Sequence, residues 1–337
     1  MSLVGAFIVT ILSIKLLYPF SQKVGLIDYP NKRKLHTKET PLIGGIAMFF
    51  GVVFGILLLP IDLNFFKGYL LALMLIVALG VIDDYQPQSH WLRLSFQLFS
   101  GLILFNMSGI QIHSLGDLAG AGDLILGASS VLVTIIAVTG AINAINFMDG
   151  VDGISGSVGL VTVVSVVILS YDSKDTLLLY LALLILIVLI PFLFFNLQRV
   201  QKIFMGDAGS MFLGLSISVL LIGLSQGDQP SFRPITALWI FALPLIDIFF
   251  VMIKRMSSGD SPFLPDRSHI HYIFLSKGLS DRRALAVIIL MSIVFAIIGV
   301  FSELMAIQEW KMFGLFVIFS IIYVAVMLTL DRRSIQR

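Results

Sequence analysis

Residues 67–85 read KGYLLALMLIVALGVIDDY, an apolar run over 67–82 that ends in Ile82-Asp83-Asp84-Tyr85. At about 1.5 Å per helical residue, such a run covers most of a hydrocarbon core of about 30 Å. A carboxylate at bilayer depth costs about 2.5–3.5 kcal/mol or more on insertion scales, so paired acids at the end of the run mark a helix leaving the membrane beside a polar site. The same arrangement recurs at Asn143-Ala-Ile-Asn146-Phe-Met-Asp149-Gly150-Val-Asp152-Gly153, at Phe204-Met205-Gly206-Asp207-Ala208-Gly209, and at Asp266-Arg267-Ser268-His269-Ile270-His271. Acids, amides, histidines and an arginine arriving on separate segments point to metal-assisted chemistry on an anionic substrate.

The rest of the chain has the same character. Of 337 residues 58% are hydrophobic and 12% charged, and the mean hydropathy is +1.01. A soluble domain carries about 25% charged residues, so a polytopic membrane protein is expected. The absence of cysteine excludes disulfides, thiolate nucleophiles and cysteine-based zinc sites. Apolar spans are expected at roughly 2–20, 42–60, 67–82, 92–108, 127–146, 154–171, 176–195, 209–225, 234–254, 285–302 and 311–330, giving an all-α fold of about 11 transmembrane helices. The first span has neither a basic leader nor a small-residue cleavage site and reads as a retained helix.

With the amino terminus outside, segments 21–41, 83–93, 147–153, 196–208, 254–284 and 331–337 face the cytoplasm and carry 17 of the 22 Lys and Arg residues. The other side has four, Lys67, Lys174, Arg233 and Lys311, and Lys15 lies within the first span. This asymmetry predicts a cytoplasmic carboxyl terminus and places every motif above on cytoplasmic loops. The external segments are short, and the longest, about 109–126, carries Gly116, Gly120 and Gly122. Residues 1–337 are therefore read as a single membrane domain.

Adjacent carboxylates point in different directions on a helix, so Asp83 and Asp84 are expected to have different tasks, one orienting or deprotonating a nucleophile and the other serving metal or structure. Asn143, Asn146, Asp149 and Asp152 follow at spacings of three, so neighbours share a helix face, and Gly150 and Gly153 end the helix. Such hard oxygen donors favour Mg²⁺ or Mn²⁺ over zinc. Met205-Gly206-Asp207-Ala208-Gly209-Ser210 opens a helix whose amino terminus can hold phosphate oxygens, with Asp207 as a cap or a cation ligand. Arg267, His269 and His271 can donate to a polyanionic phosphate. In Pro30-Asn31-Lys32-Arg33-Lys34-Leu35-His36, Lys34 and His36 serve either membrane topology or contact with an anionic lipid or nucleotide. Asp247, inside the ninth span, is better explained by a buried partner or the Pro244 kink than by direct catalysis.

The ordered set GLIDYPNKRKLH (25–36), PLIGGIAM (41–48), GVIDDY (80–85), NAINFMDGVDG (143–153), FMGDAGS (204–210) and SPFLPDRSHIH (261–271) resembles the polyprenyl-phosphate N-acetylhexosamine-1-phosphate transferases over nearly the whole chain. Within that superfamily, SPFLPDRSHIH and PITALWIFALPLID (234–247) are similar to the bacterial WecA-type enzymes more than to the muramoyl-pentapeptide transferase, whose corresponding loop has a run of adjacent histidines. The resemblance implies transfer of N-acetylglucosamine 1-phosphate from its UDP donor to undecaprenyl phosphate, with release of UMP, in the bacterial cytoplasmic (inner) membrane. It implies Mg²⁺, with Mn²⁺ as an alternative, and the first lipid-linked step of O-antigen, enterobacterial common antigen or teichoic-acid type polysaccharide synthesis. It places Asp207 and Asn146 at the metal and donor pyrophosphate, and makes Asp83 the base or orienting acid. Asp84, Asp149 and Asp152 complete the catalytic face, while Arg267, His269 and His271 hold donor phosphates. Many WecA-type relatives read H-I-H-H where this chain has His269-Ile270-His271-Tyr272, so the role of a third histidine does not carry over.

In-line attack by the lipid phosphate is the expected mechanism, with a two-step route through a covalent aspartyl intermediate as its competitor. Another UDP-N-acetylhexosamine is an alternative donor. A second class, an ion-coupled transporter of nucleotide-sugar or lipid phosphate, would hold its site near the bilayer midplane between repeats, whereas these motifs cluster at one surface. Membrane lipid is an expected partner, nothing points to nucleic acid, and a homodimer is compatible with the chain.

Overall fold

The computed structural model describes residues 1–30, 39–59, 64–172, 175–198, 200–257, 259 and 268–335. Among them lie thirteen α-helices: α1 (Ser2–Val24), α2 (Gly44–Leu57), α3 (Asn64–Tyr85), α4 (His90–Ser108), α5 (Ser130–Met148), α6 (Ile154–Leu169), α7 (Thr176–Leu197), α8 (Gly206–Ser225), α9 (Pro234–Ile240), α10 (Ala242–Ser257), α11 (Ile270–Ser276), α12 (Asp281–Leu304) and α13 (Glu309–Ile335). The departure from the all-α expectation is small: β1 (Ile27–Asp28) and β2 (Thr40–Pro41) pair antiparallel, and Leu42 bridges to Phe204.

Every expected span contains a helix, but they differ in length and apolarity. Seven helical segments among the described residues are long and apolar enough to cross a membrane, or eight when the bent pair α9 and α10 counts as one. Two further apolar helices, α2 and α6, have 14 and 16 residues. A window of about 20 residues smooths over helix ends, so hydropathy alone does not separate these shorter helices from full spans.

Local chemistry ends the helices where the sequence suggests. Ser89 accepts from Leu92 N (3.2 Å) to start α4 and Asp175 from Leu178 N (3.1 Å) to start α7. Between α9 and α10 the axis turns by 79°. Pro244 has no N–H to offer the Ile240 carbonyl, and Thr162 Oγ1 donates to that oxygen instead, at 3.1 Å.

At the centre stands α8, 94% of whose apolar window is buried, packed against α2, α3, α5, α6 and α7. Lipid tails are as apolar as leucine, so close backbone approach rather than water exclusion holds such helices together. A Cβ on Gly45 of α2 would lie 2.1 Å from Gly209 N, and one on Gly80 of α3 2.4 Å from Ala208 Cα. α1 and α13 are peripheral, with 17% and 11% of their windows buried, and expose residues such as Leu12, Leu16, Ile318 and Ile321. This stacking brings the carboxyl ends of α3 and α5 beside the amino end of α8.

Candidate active site

Asp84, at the end of α3, caps α8 from outside it, accepting from Asp207 N at 2.7 Å and Ala208 N at 3.2 Å. Two of the four orphan N–H groups of a helix start are thereby satisfied. Gly206 is required by this joint: its φ is +72°, and a Cβ there would meet Asp84 Oδ2 at 2.5 Å. Asp83 accepts instead from Gln88 N (2.6 Å) and Arg93 Nη1 (3.0 Å), while its carboxyl group also stands beside that of Asp207. The two acids thus have different partners in the fold.

From α5, Asn146 Nδ2 donates to Asp207 Oδ1 at 2.6 Å and to Ser210 Oγ at 2.8 Å, leaving its amide oxygen as a further acceptor. Asp149 follows the last turn of α5 and accepts from Ser155 Oγ. Burial pushes the Asp149 carboxyl up to about 7, against the hydrogen bond from Ser155 and with the added repulsion of Asp207 and Asp152. Asp152 pairs with Lys202, whose ammonium stands 4.8 Å over the Phe204 ring. The turn carrying these acids is tied down by Asn196, which accepts from Gly153 N at 2.7 Å and donates to the Ile203 carbonyl at 2.8 Å.

These groups line one cavity of about 790 Å³. Asp83, Asp84, Asp149, Asp152 and Asp207 share it with Asn146, and Asp28, Lys202, Phe204, Tyr272, Asp281 and Arg282 complete much of the wall. Among the described residues seven carboxyl groups and two cations, Lys202 and Arg282, line it, an excess of acid that added positive charge would offset. No group of three or more acidic or histidine side chains among the described residues forms an all-protein metal cage. That donor set suits Mg²⁺, which usually takes one or two carboxylates and fills the rest of its octahedron with water and substrate phosphates. Asp207 and the Asn146 amide oxygen fit that role.

Not every residue singled out from sequence arrives in the cavity. Asn143 turns to α4 and makes reciprocal hydrogen bonds with Gln97 (2.7 and 3.4 Å), so it is a joint between helices. His269 and His271 lie behind the cavity wall: both are buried, their rings stack 6.0 Å apart and within 5° of parallel, and neither ring lines the cavity. Among the described residues His271 has no hydrogen-bond partner on either ring nitrogen, and burial lowers its pKa to about 4, despite the opposing pull of Asp247. Tyr272 does line the cavity, with its ring 4.2 Å from that of His271. Lys34, His36 and Arg267 lie outside the described residues.

Sequence reasoning missed Lys202, Asn196, Asp28 and Arg282 as contributors. Lys202 stands two residues before FMGDAGS, and Asn196 is the first strongly polar residue after the 176–195 run. Both positions were visible as the ends of apolar segments, but nothing local says that they face the same space.

The profile described as glycosyl transferase family 4 matches residues 66–225, a stretch that includes Asp83, Asp84, Asp149, Asp152 and Asp207. The chain is 36% identical over 305 residues to the undecaprenyl-phosphate α-N-acetylglucosaminyl 1-phosphate transferase of Yersinia pestis, covering 89% of this chain and 84% of that one. Proteins of the same name from Pasteurella multocida and Escherichia coli (strain K12) are 35% and 34% identical, covering 96% and 95% of this chain and 92% and 89% of their own lengths. With full-length relatives at this identity and the acid-lined cavity at the helix ends, the chain belongs to glycosyl transferase family 4, among the membrane-bound phosphoglycosyltransferases.

Proposed function

We propose that the protein transfers N-acetylglucosamine 1-phosphate from UDP-N-acetylglucosamine to undecaprenyl phosphate, releasing UMP, as the first lipid-linked step of a surface polysaccharide. The observation that carries this reading is the convergence of Asp83, Asp84, Asp149, Asp152 and Asp207 on a single cavity at helix ends. The names of the relatives supply the lipid acceptor and the transferred N-acetylglucosaminyl 1-phosphate, and the UDP donor follows from the family resemblance of the motifs. In this reading the chain crosses the bacterial inner membrane eleven times with its amino terminus outside, so the cavity opens where a soluble donor meets a lipid phosphate at headgroup level.

An oxygen of the lipid phosphate attacks the sugar-bearing phosphorus of the donor, and the bond from that phosphorus to the bridging oxygen breaks to release UMP. Asp207 and Asn146 would hold Mg²⁺, or Mn²⁺, which supplies the charge neutralisation that two anionic substrates and a departing UMP require. Asp83 orients the acceptor or takes its proton. Both oxygens of Asp83 already accept, from Gln88 and Arg93, which lowers their nucleophilicity and favours direct attack over a covalent aspartyl intermediate. Asp84 keeps Asp207 in place through the α8 cap, and Lys202 and Arg282 are the cavity's own contacts for donor phosphates.

The test is purified protein in detergent with UDP-N-acetylglucosamine, Mg²⁺ and polyprenyl phosphate. UMP and a lipid-linked sugar pyrophosphate should appear together and stop on chelation. A preparation that yields neither, while carrying donor or lipid phosphate across a vesicle membrane, would replace the enzyme with a transporter. Running the assay across UDP-N-acetylhexosamines ranks the donors.

A further inference from the structure

Behind the cavity, Asp247 lies within α10 and is 1% exposed. Three donors from two other elements converge on its carboxylate. Tyr323 Oη of α13 donates to Oδ1 at 2.8 Å, Ile270 N at the start of α11 donates to Oδ1 at 3.0 Å, and His269 Nδ1 lies 2.8 Å from Oδ2. A carboxylate can only accept, so it fixes the hydrogen of His269 on Nδ1 and the orientation of the ring. No side chain of α11's own N-cap does this work.

His269 has two ring neighbours on the way to the Asp149–Asp152 turn. Its ring stands 5.3 Å from Phe147 at the end of α5 and stacks on His271. His271 fills the space beneath Gly150, so tightly that a Cβ at Gly150 would lie 2.1 Å from Nε2. Gly150 stands between Asp149 and Asp152 in the cavity wall. A buried carboxylate, two stacked rings and a residue with no room for a side chain thus form a continuous column from α10 to the turn carrying two of the acids.

We propose that Asp247 is a positioning residue for the reaction, acting through His269 and His271 to hold the Asp149–Asp152 turn in its place in the cavity. The inference rests on the proposed transferase reading for its kinetic consequence. Misplacement of a reacting group by about 1 Å can cost about a hundredfold in rate, so a brace of this kind registers in kcat.

The experiment compares Asp247→Asn, Tyr323→Phe, His269→Gln and the double variant Asp247→Asn/His269→Gln with the parent protein. Each is assayed for UMP release and for backbone hydrogen exchange over 147–152. Asp247→Asn should lower kcat at least tenfold while KM for UDP-N-acetylglucosamine stays within threefold, and Tyr323→Phe should lower kcat about threefold. Exchange over 147–152, more than 90 residues away in sequence, should accelerate at least fivefold. The double variant should be no slower than the worse single one, because both substitutions break the same column. Unchanged exchange over 147–152 would overturn the proposal, as would kcat losses that multiply in the double variant, the signature of two independent structural defects. If the parent itself turns over neither substrate, the proposed function falls, and the exchange data still decide the brace.

Discussion

Two polar regions share one end of this molecule and solve opposite problems. The cavity where α3, α5 and α8 meet is lined, among the described residues, by seven carboxyl groups and two cations, an excess of acid that suits a bound cation. The cluster of Asp247, His269, His271 and Tyr323 behind it is sealed, and its one carboxylate has three donors. An excess of acids marks a site that waits for ligand, and a carboxylate with its donors already in place marks a joint. The residue types alone do not separate the two, since both contain aspartate.

The comparison breaks most decisively at Asp207. Asp207→Asn keeps the volume and removes the charge, so turnover should fall by about a thousandfold or more while the protein stays folded and membrane-inserted. Near-parent activity at ordinary Mg²⁺, measured alongside a monodisperse elution profile, would make Asp207 a helix-start residue and the cavity no metal site. Asp84 sharpens the picture, because it serves the fold and the site together. Asp84→Ala removes the acceptor for two α8 N–H groups and should lower stability by about 1–2 kcal/mol as well as reduce the rate about a hundredfold. A rate loss with an unchanged melting temperature would show that the cap contributes nothing to α8.

The sealed region predicts a pH effect on stability. His271 has a folded-state pKa lowered to about 4, below the 6.5 of an exposed imidazole. Its contribution is complete above the unfolded value and is lost as pH falls through 6.5 toward 4, since the unfolded chain then binds a proton that the folded one refuses. Between pH 7 and pH 5 this amounts to about 2 kcal/mol. Thermal unfolding in detergent across that range should show the decline, and His271→Gln should flatten it; an equal decline in both proteins would assign the effect to other groups. The smallest effect concerns Tyr272, which touches His271 on one side and lines the cavity on the other. Tyr272→His should remain active, with a change of severalfold in apparent KM for the UDP-sugar that grows as pH falls from about 8 to 6. Identical kinetics at every pH would place the side chain outside the donor's reach, and a dead but folded variant would give the hydroxyl a catalytic role.

Much of this was legible in the chain because membrane helices advertise themselves. A bilayer cannot hydrogen-bond a backbone, so spans must be helical and apolar, and an acid at the end of one is conspicuous. That reasoning led from residues 67–85 to a helical membrane protein, to Asp83, Asp84, Asp149, Asp152, Asp207 and Asn146, and to a buried partner for Asp247. The tertiary structure decided what depends on distances across the fold. Asn143 and Asn146 are three residues apart in one motif, yet one joins α5 to α4 and the other reaches Asp207, because Gln97 and α8 stand on different sides of the same helix. Lys202 enters the cavity only because the segment before α8 folds back along the Asp152 turn. His269 and His271, suited by type to grip a phosphate, are placed behind the wall, where Asp247 and Gly150 claim them. Hydropathy and spacing follow from a residue's neighbours in sequence, whereas which side of a helix meets which partner is set by close packing between elements far apart in the chain.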